Sequence, residues 1–85
     1  MTTSNKGSSE SRGYTTSVIR KVKEQDASAP VIQLALLCIE RDIPMAHVAE
    51  KLLVTRMTVH NWFVGKFAPR KSHLQQIVAI IDALQ

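Results

Sequence analysis

Apolar residues recur every three or four positions along most of the chain, the spacing that gathers them on one side of an α-helix. The first long stretch opens at Pro30, a residue type tolerated in the first turn of a helix, and runs to about Asp42. Its apolar positions cover most of the circumference, so this helix should be buried on most sides. They are Val31, Ile32, Leu34, Ala35, Leu36, Leu37, Cys38 and Ile39.

Two shorter helical patterns follow almost end to end between Met45 and Val64. Ile43-Pro44 separates them from the preceding helix, because a residue before proline avoids helical backbone angles. The inward positions are Val48, Ala49 and Leu52 in the first helix and Val59, Trp62 and Phe63 in the second, with Val54 between them. Thr55 stands where an N-cap is wanted. Two helices with so short a connection predict a helix-turn-helix.

A last helix is predicted from the end of the following loop to the end of the chain. We expect Phe67 to anchor this loop, whose residues 66–71 we call the basic loop, into the core. The helix has an apolar stripe of Leu74, Ile77, Val78, Ile81 and Leu84. Ile80 lies on another side and fits either the edge of the core or a contact with a second subunit.

These patterns predict an all-α domain of four or five helices with a central helix-turn-helix. Residues 1–13 are rich in Ser, Thr, Gly and Asn and should be disordered. Residues 14–28 fit either a basic arm that attracts phosphates or an extra short helix. We favour the helix, since Val18, Ile19 and Val22 share a face. Residues 29–85 form the predicted helix-turn-helix domain, with no separate segment for an effector or for catalysis.

Charge narrows the choice of partner. The formal net charge is +4, and residues 45–73 hold five basic residues and one acidic residue, so this segment matches the whole excess. Such a balance favours an anionic partner. Cys38, the single cysteine, should be a buried apolar residue in a reducing cytoplasm. No apolar run resembles a signal peptide or a membrane span, so we expect a cytoplasmic protein without membrane contact.

The candidate chemistry for catalysis or metal binding is poor. His47, His60 and His73 lie thirteen residues apart, whereas a metal-binding pair on a helix needs a spacing of three or four. Nothing orients a nucleophile against a base, and no glycine-rich phosphate loop occurs. We therefore expect no enzyme activity, no metal, no cofactor and no small-molecule effector.

Residues 45–64 resemble the helix-turn-helix of the phage Cro/repressor (XRE-type) family. Ala49 matches the family's small fifth position, and Gly65, Lys66 and Pro69 match its usual run into the next helix. The apolar matches are Val48, Leu52, Val54, Val59 and Trp62, and the resemblance covers roughly residues 29–84. Leu53 departs from the pattern, because the family prefers Gly in the turn. Met45 replaces a Gln that often reaches the DNA backbone in the family.

The resemblance implies double-stranded DNA as partner, with residues 56–64 in the major groove. Arg and Asn side chains can bind guanine and adenine edges through paired hydrogen bonds, and Met can contact a thymine methyl. We expect base contacts from Arg56, Met57, His60 and Asn61. Phosphate contacts are expected from Thr55, Thr58, Lys66, Arg70 and Lys71.

The favoured function is a sequence-specific transcriptional regulator, a repressor that blocks promoter access, acting as a homodimer on two half-sites. Two alternatives remain open at this point. One is a DNA-packaging or recombination accessory protein with a helix-turn-helix. The other is a helical protein-interaction module without DNA binding, favoured by the apolar excess at Leu36, Leu37 and Ile80. A homeodomain is disfavoured, since Gly65 stands where that family has Asn.

Overall fold

A computed structural model describes residues 14–85, which form five helices and no strand. The helices are α1 (Thr16–Lys23), α2 (Pro30–Arg41), α3 (Met45–Leu52), α4 (Arg56–Phe63) and α5 (Lys71–Leu84). This confirms the all-α prediction. The expected disorder of residues 1–13 lies outside the described residues. Within residues 14–85 no helix combines the length and the apolar character needed to cross a membrane.

The helix boundaries follow from local chemistry. The Thr15 hydroxyl accepts a hydrogen bond from the Val18 N–H and caps α1. Pro30 occupies the first turn of α2, where its missing N–H costs nothing. Asp42 ends α2 in left-handed backbone geometry, at φ 61°. The Ile43 N–H then donates back to the Cys38 carbonyl at 2.8 Å, a bond typical of such helix ends.

The five helices share one core, to which each contributes apolar side chains. The largest fully buried residues are Phe63, Ile32, Leu34, Met45, Ile77, Val22, Val48, Val59 and Cys38. No polar or charged residue among the described positions is buried. The hydrophobic effect therefore holds the helices together, at about 25 cal/mol per Å² of apolar surface removed from water. The helices α2 and α5 pack along each other. The helix-turn-helix packs against this pair, since α3 contacts α5 and α4 contacts α2.

Residues 14–28 belong to this fold. Of the two interpretations, arm or helix, the structure has the helix α1, and Val18 and Val22 are buried in the shared core. Tyr14 is buried as well, and its hydroxyl donates to the Ile43 carbonyl at 2.7 Å. The Gln25 side chain donates to the Phe63 carbonyl at 2.8 Å. The segment thus contacts both ends of the helix-turn-helix.

Two apolar predictions are wrong. Phe67 does not anchor into the core, since 58% of it is exposed. The Lys66 and Phe67 N–H groups both donate to the Asn61 carbonyl, which turns the loop so that the ring lies outside. Val78 is 51% exposed, because it lies about 100° around α5 from the buried Ile77. Ile80, left open as core edge or subunit contact, is half-buried.

Candidate nucleic-acid interface

The turn of the helix-turn-helix is built without glycine. Leu53 adopts left-handed geometry at φ 57° and ψ 43°. The Val54 N–H donates to the Ala49 carbonyl at 3.0 Å. This bond ends α3 in the way that is usual when a glycine occupies the left-handed position. Leu53 therefore takes the conformation that its position in the turn requires, at a cost of about 1 kcal/mol. Its side chain is 91% exposed and makes no compensating contact with the core.

The start of α4 is fixed by two threonines. The Thr55 hydroxyl accepts from the Thr58 N–H at 3.1 Å, which confirms Thr55 as the N-cap. The two hydroxyls also lie 2.9 Å apart and share a hydrogen bond. One of their two hydroxyl hydrogens is used between them, so one remains for an external acceptor. Thr55 and Thr58, both predicted to contact phosphate, can offer a single donor as a pair.

The predicted base-contacting residues do not all share one face of α4. Val59, Trp62 and Phe63 point into the core. Met57 and Asn61, four residues apart, lie nearest the opposite side, and Met57 is 60% exposed. Arg56 is exposed but lies about 140° around the helix from Asn61. Its positive charge lowers the pKa of the Tyr14 hydroxyl slightly, against the larger effect of burial, which raises it.

His60 flanks the outward face and is half-buried. Its Nδ1 atom is shielded from solvent and has no hydrogen-bond partner. Of the two ring nitrogens, Nε2 is therefore the one that could reach a base. His73, in the first turn of α5, packs against Trp62 with ring centroids 5.2 Å apart. This contact ties the far end of the basic loop to the inner side of α4.

The basic loop (residues 66–71) continues directly from α4. Gly65 takes a left-handed φ of 84°, and a side chain there would collide with Gln25. The Asn61 carbonyl then accepts the Lys66 N–H at 2.8 Å and the Phe67 N–H at 3.4 Å. Three cations of the loop, at Lys66, Arg70 and Lys71, are exposed. The loop therefore presents positive charge from a backbone that α1 and α4 hold in place.

The end of the loop also offers backbone donors. Arg70 is the N-cap of α5, and its side chain makes no capping hydrogen bond. The first N–H groups of a helix have no partner within the helix, and their partial positive charge favours an anion. Arg70 and Lys71 add two full charges at the same place. This end of α5 has the chemistry that suits a phosphate group.

Tyr14 and Cys38 are buried and in contact with each other. Desolvation raises the pKa of the Tyr14 hydroxyl well above its ordinary value, and the nearby Cys38 thiol raises it further. Burial raises the pKa of Cys38 to about 11, although contact with the Tyr14 hydroxyl opposes the shift. Both groups are therefore neutral near pH 7 and serve packing. Among residues 14–85, no three His, Cys, Asp or Glu side chains come together as metal ligands.

Two features of this region were not predicted from the sequence. Phe67 was expected in the core, because an apolar residue near a helical pattern is assigned to the core by default, and it lies outside. Gln25 was not singled out, although its side chain donates to the Phe63 carbonyl and fills the space beside Gly65. A glycine directly after a helix commonly takes a left-handed conformation, but no local signal pointed to the side chain that faces it.

Comparisons of the chain with protein-family models, with curated proteins and with solved structures give no match.

Proposed function

We propose that this protein binds double-stranded DNA, with α4 in the major groove and the basic loop on the sugar-phosphate backbone. One observation carries the proposal. The outward residues Met57 and Asn61 and the exposed cation Lys66 lie on adjoining pieces of chain, and the Asn61 carbonyl joins them by hydrogen bonds. Base-reading and phosphate-binding groups thus have a fixed relative position, which DNA recognition requires.

The exposed ends of the helices support this proposal. The N-terminus of α5 combines unpaired N–H groups with Arg70 and Lys71, and α3 likewise has no side-chain cap. Phosphates commonly bind at such helix ends. The resemblance of residues 45–64 to the Cro/repressor helix-turn-helix leads to the finer proposal of a sequence-specific regulator. We propose a repressor that works in the cytoplasm of a bacterium or of a phage-infected cell.

A random-sequence duplex pool tests the proposal directly. The protein is titrated with the pool at two salt concentrations, and the bound DNA is sequenced. Enrichment of a motif, with affinity that falls steeply as salt rises, is expected for a sequence-specific regulator. Salt-sensitive binding without enrichment would support the packaging or recombination accessory instead. Absence of binding at low salt would reject DNA binding and leave a protein-interaction module.

The role of Asn61 can be tested on the enriched duplex. Asn61→Ala should lose roughly 1–3 kcal/mol of binding free energy, confined to one base pair of the site. Gln76→Ala on the exposed side of α5 is the matched control and should bind like the wild type. An equal loss on all sequences would make Asn61 a residue that positions the protein on the backbone.

We further propose that two copies bind together, through a cleft formed by α2, α3 and α5. The cleft measures about 390 Å³ and is lined by apolar Ile43, Val48, Ile80 and Leu84, with Lys51 at its edge. The small residues Ala79 and Ala83 lie alongside and would let another helix approach closely. Sedimentation of the wild type and of the variant Ile80→Glu tests this pairing. We expect the wild type to form a dimer and the variant to be a monomer. A wild type that binds DNA as a monomer would reject the proposed dimer.

The same cleft favours one candidate from another class, a module that binds a helix of a different protein. In that case Ile80→Glu would abolish binding of the protein partner and would leave the affinity for DNA the same as that of the wild type. Large rings or filaments in sedimentation would instead favour a packaging accessory.

A further inference from the structure

Phe67 is an aromatic residue that lies mostly outside the core. It is 58% exposed in the middle of the basic loop, between Lys66 and the cations at Arg70 and Lys71. A partner that offers negative charge beside apolar surface would suit both the cations and the ring.

The ring is held in place. The Phe67 N–H is bound to the Asn61 carbonyl, and the chain before it is constrained at Gly65 by Gln25. The ring borders a shallow cavity of about 240 Å³, together with Trp62 and Pro69. The Lys66 ammonium lies over the ring, 6.0 Å from its centroid. The exposed part of the ring and the cation are therefore presented side by side.

One acidic residue lines the same cavity. The Asp26 carboxylate accepts hydrogen bonds from the hydroxyl and N–H of Ser28, which lower its pKa. This charge lies on the α1 side of the ring, whereas Arg70 and Lys71 follow on the α5 side. An anionic partner would thus approach Phe67 from the side of α5 and α4.

We infer that Phe67 packs its exposed side against a deoxyribose of the DNA backbone while Lys66 binds the adjoining phosphate. This inference rests on the proposed DNA binding and extends it to a new contact. The sugar is the apolar part of the backbone, and it alternates with phosphates at the spacing of neighbouring side chains. The exposed ring and the ammonium beside it can therefore meet a sugar and its phosphate together.

The proposed contact between Phe67 and a sugar can be told from a contact between charges by the salt dependence of the affinity. Lysine contacts with phosphate release counterions, so removing one lowers the dependence of affinity on salt. An apolar contact releases none and contributes equally at every salt concentration. A deoxyribose is also the same under every base, so the contribution should not depend on sequence.

The experiment is a titration of a labelled duplex across a series of salt concentrations, with wild type, Phe67→Ala, Phe67→Leu and Lys66→Ala. Phe67→Ala should weaken binding about tenfold at each concentration, about 1.4 kcal/mol, and leave the salt slope unchanged. Phe67→Leu should recover part of the loss. Lys66→Ala should lower the slope by about one unit. Val78→Ala, a similarly exposed apolar residue on α5, is the control and should change neither quantity.

The outcomes separate this inference from the proposed function. If the wild type binds no duplex, DNA binding itself fails. If the wild type binds and Phe67→Ala binds equally well, the contact of Phe67 alone is rejected. A change in salt slope with Phe67→Ala would show that the ring merely positions Lys66. A loss confined to one sequence would show a base contact instead of a sugar contact, and either result overturns the inference.

Discussion

Leu53 occupies a backbone conformation that glycine adopts without strain and other residues do not. Its φ of 57° belongs to the left-handed region, where a side chain is strained and glycine is not. Because the side chain is 91% exposed, removing it loses almost no packing. The position therefore isolates the backbone cost of the turn from other contributions to stability.

Leu53→Gly should raise the free energy of unfolding by about 0.5–1 kcal/mol, since relief of strain exceeds the added flexibility of the unfolded chain. Urea unfolding measures the change. Leu53→Ala is the matched control and should give no gain, because alanine is strained in the same way. A glycine variant no more stable than the alanine variant would contradict this explanation.

Cys38 and Tyr14 should make the protein sensitive to alkali. Burial raises the pKa of Cys38 from 9.0 to about 11, and it raises the pKa of Tyr14 above 10.0. The unfolded chain releases these protons first, so stability is full below about pH 8 and falls as pH rises. Between pH 9 and 11 the thiol alone should remove about 2 kcal/mol.

Unfolding measured across this range checks the prediction. In Cys38→Ala the decline should begin about one pH unit later, where an unfolded tyrosine titrates. The shape of the curve is compared, because the substitution also lowers stability at every pH. An unchanged onset would mean that the thiol does not control the alkaline decline.

At the scale of elements, α1 behaves as part of the domain. Val22 is fully buried, although it lies in the segment that the sequence also allowed as a loose arm. Val22→Ala should lower the free energy of unfolding by about 2 kcal/mol, because two buried methyl groups are lost and a cavity remains. Arg20→Ala, on the exposed side of the same helix, should stay near zero. Thermal unfolding measures both changes. Equal losses of stability for Val22→Ala and Arg20→Ala would show that α1 does not pack stably on the domain.

The N-cap of α4 sets the stability of the proposed recognition helix. Thr55→Ala removes the acceptor of the Thr58 N–H and should cost about 1 kcal/mol. Thr55→Ser keeps the hydroxyl and should lose much less. Hydrogen exchange of the α4 amides, measured beside global unfolding, locates the effect. Unchanged exchange in the alanine variant would argue against the cap.

At the scale of the whole molecule, the proposed DNA binding can be tested by its salt dependence, which reports how many cations contact phosphates. With Lys66, Arg70 and Lys71 engaged, the logarithm of affinity should fall against the logarithm of salt concentration with a slope of about −3 per domain. Two copies bound together should give about −5. Fluorescence titration gives the slope, and sedimentation gives the stoichiometry.

A variant with glutamine at all three positions is the matched test of this count. Its slope should approach zero, because the loop then neutralises no phosphate. A slope as steep as that of the wild type would move the phosphate contacts to other cations. Circular dichroism should confirm that the variant keeps its helices, since all three side chains are exposed.

Much of the fold could be predicted from the sequence, because the features that form a helix lie within a few residues of one another. The periodicity of Val48, Ala49 and Leu52 and the cap at Thr55 depend on neighbours within one turn, and the structure has helices at both places. The residue types of the candidate site and their place on one helix could also be predicted from the sequence. The hydrogen bonds from the Lys66 and Phe67 N–H groups to the Asn61 carbonyl, which set the course of the basic loop, could not.

The sequence by itself determined the all-α class, the succession of helices and the excess of positive charge around α4. These features follow from helical spacing, capping and composition, which act over a few residues. The tertiary structure alone decided that Tyr14 and Gln25, on either side of α1, bond to the backbone of distant segments and that Phe67 lies outside the core. Such outcomes depend on which distant side chains meet, and contacts between residues 29 or 38 positions apart leave no periodic signal in the chain.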